Sequence, residues 1–134
     1  MKHEDFEKYL KWRHEQTDKV LGTKSAEYSS DSDKLHNFKR AGRIAGTSPE
    51  KALMGMAMKH LVSILDIIDK LDNKCGTEDC FPEYDYLAIN QYMKMIHEKI
   101  GDLTNYLYLL EAHIIERYKK VMGEYPEWLN MEKK

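Results

Sequence analysis

Apolar residues recur along this chain at steps of three and four, the spacing of one helix face. The pattern predicts four helical segments, and no strand alternation competes with it. The first segment runs from about Asp5 to Leu21, with Phe6, Leu10, Val20 and Leu21 on one side and Gly22 as a stop. The run TKSAEYSSDSD is small and polar and reads as a loop. A second, shorter helix, DKLHNFKRAGRIA, starts with Ser32 or Asp31 as cap and ends at Gly46. In GTSPEKAL, Thr47 and Glu50 have capping-box spacing, and Ser48 with Pro49 serves equally well as cap and first residue. That third helix runs to about Asp72. Leu53, Met54, Met58, Leu61, Ile64, Leu65, Ile68 and Leu71 share one wide apolar arc, opposite Lys59, Asp66 and Lys70.

The fourth segment runs from about Tyr84 to Val121, with Ile89, Ile96, Ile100, Leu103, Leu107, Leu110 and Ile114 as its stripe. Asn90 and Gly101 are its weak points, where a kink or a split is expected. Gly123 ends it, and Trp128 and Leu129 in the tail EYPEWLNMEKK are expected to dock on a neighbouring surface. The expected architecture is all-α: one domain over 1–134, a bundle of about four helices with the third and fourth as its antiparallel centre. The N-terminal helix covers about 5–21, the core 23–122 and the tail 123–134. Helices this long expose more apolar area than one copy covers, so a homo-oligomer is expected.

Composition narrows the function classes. The 134 residues are 33% charged with a net charge of -2, which gives no footprint for duplex nucleic acid. No apolar run reaches the roughly 18 residues of a membrane span. The run MKHEDFEKYLKWRHEQ is too charged for a signal peptide. The expected location is the cytoplasm. Cys75 and Cys80 lack a second ligand pair at zinc spacing and read as free thiols in a loop.

Three groups carry candidate chemistry. His60 falls inside the apolar arc of the third helix, either as a site residue or as a core histidine with a hydrogen-bond partner. Glu98 and Asp102 stand one turn apart, with Asn105 one turn on. Two carboxylates at this spacing can share a divalent cation, although such pairs also occur on solvated faces. Their stripe continues through Leu109 and Ala112, so a covering helix would partly bury them. Residues 27–43 mix Glu27, Asp31, Asp33, Lys34, His36, Asn37, Lys39, Arg40 and Arg43 with Tyr28 and Phe38. Cations for phosphate, an aromatic for a base and an amide for a sugar suit a nucleotide. The same segment also reads as a capped amphipathic helix with Leu35, Phe38 and Ile44 in a core. Met54, Met56 and Met58 read as core filling. No nucleophile motif, Gly-rich phosphate loop or HExxH motif is present.

Three stretches together, KSAEYSSDSDKLHNFKRAGRIAGTSPEKAL, GMAMKHLVSILDII and EKIGDLTNYLYLLEA, resemble a family of small helical phage and prophage proteins of largely unknown function. The resemblance spans roughly residues 23–112. More distantly, EKIGDLTNYL resembles the second acidic helix of MazG-type and dUTPase-like all-α nucleoside triphosphate pyrophosphohydrolases. That resemblance implies a cytoplasmic protein of a bacterium or phage-infected host that hydrolyses (d)NTPs with Mg²⁺ or Mn²⁺, Glu98 and Asp102 being the metal ligands. Lys99 stands where the pattern has a further acid, and Lys59-His60 where its first motif has glutamates. A rebuilt site would use His60 with Glu27 or Asp31 as catalytic groups. Lys34, His36, Asn37, Lys39, Lys59 and Asn105 would contact the substrate. The alternative is a non-catalytic phage accessory protein that binds a nucleotide or a host protein.

Overall fold

The computed structural model describes residues 1–22, 33, 35–74 and 86–130. Every described element is helical: α1 (His3–Gly22), α2 (His36–Ala45), α3 (Pro49–Lys74), α4 (Tyr86–Met122) and a short α5 (Glu127–Asn130). Among the described residues there is no strand, and no helix is long and apolar enough to cross a membrane. Glu27, Tyr28, Asp31, Ser32, Lys34, Cys75, Cys80 and Tyr84 lie outside the described residues.

The helix starts and stops follow local chemistry. Asp33 Oδ1 accepts the Leu35 N–H at 2.9 Å just ahead of α2. At its far end Gly46 takes a left-handed conformation, φ 66°, which glycine adopts without a Cβ clash. Gly46 N–H donates to Arg43 O and Thr47 N–H to Gly42 O, closing the last turn. The chain then doubles back so tightly that a Cβ on Gly42 would lie 2.9 Å from Pro49 N. Of the two caps open to α3, Ser48 is used: its Oγ accepts the Lys51 N–H at 3.2 Å, with Pro49 first in the helix. α4 is one unbroken helix of 37 residues, so the expected break at Asn90 or Gly101 is absent.

α3 and α4 run antiparallel. Glu50 near the start of α3 meets Arg117 near the end of α4 at 2.7 Å, and His60 further along α3 meets Tyr106 further back on α4. α2 packs on α3, and α1 packs on α4. The buried core between α3 and its neighbours is narrow: Leu53, Ala57, Ile64 and Ile67, with Leu35 from the turn before α2. Full burial of side chains such as Leu53 and Ile67 stabilises the fold by about 1.5–3 kcal/mol each. The wide apolar arc expected on α3 therefore divides. Met54, Met58, Leu61, Leu65 and Ile68 remain between 36% and 52% exposed. Trp128 and Leu129 are also exposed, although both were expected to dock.

Candidate functional site: the cleft between α1 and α4

α1 presents Arg13, Gln16, Thr17 and Val20, one face at helical spacing, to α4. α4 answers with His97, Glu98, Gly101, Asp102 and Asn105, again one face. Between them lies a cleft of about 270 Å³. Arg13 organises it. Its Nη2 lies 3.3 Å from His97 Nδ1 and donates to the His97 carbonyl at 3.5 Å. An arginine only donates, so a bond to Nδ1 leaves the His97 ring proton on Nε2. Trp12 stacks on the His97 ring at 4.6 Å and lies under the Arg13 guanidinium. Thr17 is buried and turns its hydroxyl back onto the Arg13 carbonyl at 3.1 Å.

Gly101 makes room for this arrangement. A Cβ there would stand 2.9 Å from Arg13 Nη1. Gly101, an expected weak point of α4, is the seat of a guanidinium.

Two residues that line the cleft carry polar atoms that the protein itself does not satisfy. Arg13 Nε and Asn105 Oδ1 are buried without a hydrogen-bond partner. Buried polar groups almost always find one, so each of these two atoms calls for a water or a ligand atom beside it. One guanidinium lines the cleft with two carboxylates, so the formal charge of the cleft is negative.

His60 stands behind this cleft. Its Nδ1 lies 3.5 Å from Asp102 Oδ2, without hydrogen-bond geometry, and its ring stacks on Tyr106 at 5.2 Å. Asp102 thus borders both His60 and the cleft, whereas His60 does not line the cleft. Among the described residues no group of three or more His, Cys, Asp or Glu side chains is placed to hold a metal. Within the cleft the charged oxygen ligands for a cation are the carboxylates of Glu98 and Asp102, with the Asn105 amide oxygen on the same lining. Water and ligand oxygens would complete its shell, as is usual for Mg²⁺.

The other expected contacts lie elsewhere. Lys59 is exposed on α3. His36, Asn37 and Lys39 belong to α2, which does not touch α1. Lys39 Nζ donates to Asp33 Oδ2 at 2.8 Å and to Glu116 Oε1 at 2.7 Å, pinning α2 to α4. Burial works against the Lys39 ammonium, but hydrogen bonds to Asp33 and Glu116 raise its pKa above the ordinary value. The Lys39 hydrogen bond, helped by the Leu35 N–H, holds the Asp33 carboxyl below its usual range. Beside them His113 is buried, its Nε2 unpartnered and its ring edge-on to Phe38 at 5.7 Å. Burial lowers the His113 pKa, against the pull of Glu50 and Glu116.

Sequence reasoning found Glu98, Asp102 and Asn105 but not Arg13, Gln16, Thr17 or His97. A signal existed: Arg13, Gln16, Thr17 and Val20 are spaced three, one and three apart, which marks a second face of α1. No family model, curated protein or solved structure matches the chain.

Proposed function

We propose that the chain binds a phosphate-bearing small molecule of the nucleotide class in the α1–α4 cleft, together with Mg²⁺ or Mn²⁺ at Glu98 and Asp102. The observation that carries this reading is the pairing, in one cleft, of a buried unpartnered Arg13 Nε and Asn105 Oδ1 with two carboxylates. Charge sets the order of events. A bare phosphate entering the cleft meets more negative than positive charge. A divalent cation on the two carboxylates reverses that balance and makes Arg13 a second phosphate contact. At about 270 Å³ the cleft falls just under the usual range of roughly 300–1,000 Å³ for ligand pockets. It would enclose the phosphates and leave the base near the rim.

Hydrolysis is the second reading. The approach of His60 Nδ1 to Asp102 Oδ2 favours it, because an imidazole behind a ligand carboxylate can tune its basicity and orientation. The likeness of EKIGDLTNYL to the acidic helix of the all-α pyrophosphohydrolases supports the same reaction class. The exposed apolar rows of α3 and α4 also support association between copies.

Calorimetry with ATP and dUTP, with and without Mg²⁺ or Mn²⁺, tests the proposal, with product analysis on the same samples. Metal-dependent binding that Asp102→Ala and Arg13→Ala each weaken at least tenfold, with helicity unchanged, supports it. Binding that ignores both the metal and Asp102 would sink it. Release of pyrophosphate or phosphate would add the hydrolase reading.

A further inference from the structure

The α3–α4 pair has two sides. On α4, Tyr106 meets His60 of α3, and Leu103, Leu110 and buried His113 share its row. One residue before this row come Glu98, Asp102 and Asn105, which border the α1 cleft, and later Glu116, which binds Lys39 of α2. One residue after it come Thr104, Leu107, Glu111 and Ile114, of which Leu107 and Ile114 are 50% and 53% exposed, with exposed Glu111 between them. α3 repeats the pattern. Its inward row is Leu53, Ala57, His60, Ile64 and Ile67, and its exposed row, one residue on, is Met54, Met58, Leu61, Leu65 and Ile68. In an antiparallel pair, rows displaced in the same sense fall on the same side. Both exposed rows therefore form one face, apolar but for Glu111, opposite the side that carries α1 and α2.

The face is large for a single chain. Its seven large apolar side chains leave on the order of 600 Å² uncovered, the upper end for a patch on a monomer. That is most of the roughly 800 Å² which each partner gives to a standard interface. The α3 row is also close to symmetric about Leu61. Its steps of four, three, four and three put Met54 and Ile68 seven residues either side of Leu61, and Met58 and Leu65 three and four residues from it. Exposed Lys51 continues the row at one end and exposed Asp72 at the other, three heptads away, or roughly 31 Å. A two-fold axis at Leu61 would set Met54 against Ile68 of a second copy, Met58 against Leu65, and Lys51 against Asp72.

We propose that this face joins two copies of the chain about a two-fold axis at Leu61, α3 antiparallel to the second α3, with Lys51 and Asp72 closing both ends. This deepens the association named above and rests on it. It leaves the α1–α4 cleft on the outside of the pair.

Two measurements test it. In light scattering behind size exclusion, the full chain elutes at twice its 15.8 kDa. The double variant Leu61→Glu with Leu65→Lys elutes as one copy, with its dimer dissociation constant raised at least a hundredfold. The second measurement does not depend on that variant folding. In a background with Cys75→Ser and Cys80→Ser, Leu61→Cys forms a covalent dimer on mild oxidation, whereas Lys59→Cys does not. A wild-type chain that stays monomeric at 100 µM overturns both the association and the face. A dimer that forms but resists cross-linking at Leu61 overturns the face and register alone. Nucleotide binding measured on the monomeric variant keeps either failure distinct from failure of the cleft reading.

Discussion

The two ion clusters on α4 are built from similar residues, and their cations end in opposite states, although buried His113 Nε2 beside the Lys39 cluster is also without a partner. At the α2 junction one cation, Lys39, is shared by Asp33 and Glu116 at 2.8 and 2.7 Å. At the α1 junction one cation, Arg13, lies beside Glu98 and Asp102 in an open cleft, and its Nε has no protein partner. A saturated cluster of this kind fixes a short helix that has little core of its own. An unsaturated one keeps hydrogen-bonding capacity for something else. The difference separates architecture from site more sharply than residue type does, since each junction offers one base and two acids.

Removing the cation from each junction should therefore have different consequences. Lys39→Met leaves two part-buried carboxylates facing each other without a counter-charge. We expect a loss of about 1–2 kcal/mol of stability, after allowance for partial exposure, and unchanged ligand binding. Arg13→Ala should cost less stability and most of the binding. Urea unfolding of both variants beside calorimetry checks the contrast. Equal stability losses would mean that the α1 junction is architecture too.

Acid should loosen the α2 junction next. The lowered pKa of buried His113 means that the unfolded chain takes up its proton first as pH falls. Stability is then lost from about the ordinary histidine value of 6.5 downward. Asp33 acts lower. Its folded pKa is depressed, so its contribution is present above the ordinary carboxylate pKa and is lost as pH falls through the folded value. A melting-temperature profile should fall in two stages, and His113→Leu should flatten the first. A profile flat from pH 7 to 5 in the parent chain would contradict this.

How much was legible in advance follows the range of each force. Helix ends depend on neighbours within a turn, and Gly46, Pro49, Gly22 and Gly123 announced them. The antiparallel α3–α4 pair followed from long 3–4 spacing. The width of the buried arc was not legible, because a helical wheel orders residues around an axis but does not say which third of an apolar arc a neighbour covers. Leu53 and Met54 are adjacent in sequence and in hydropathy, yet one is fully buried and the other exposed. The acids of the cleft were visible through their spacing on one helix. Arg13 was not, since its role depends on α1 lying across α4, a contact between positions 84 residues apart.

Gly101 gives the smallest expected effect on stability and the finest test of the comparison. Read locally, a glycine in mid-helix weakens α4, and Gly101→Ala should stabilise it by up to about 1 kcal/mol. Read in three dimensions, the new Cβ would sit 2.9 Å from Arg13 Nη1. That atom ends a flexible side chain, so it should yield by a small rotation, offsetting part of the helix gain. The net change in melting temperature should be within about 2 °C of zero. Arg13 would still be pushed off His97 and out of line with Asn105, and metal-dependent nucleotide binding should weaken several-fold. Calorimetry on a variant that melts like the parent isolates this displacement from any loss of fold. Unchanged affinity would show that the guanidinium need not hold its present position, and that Gly101 matters to the helix alone.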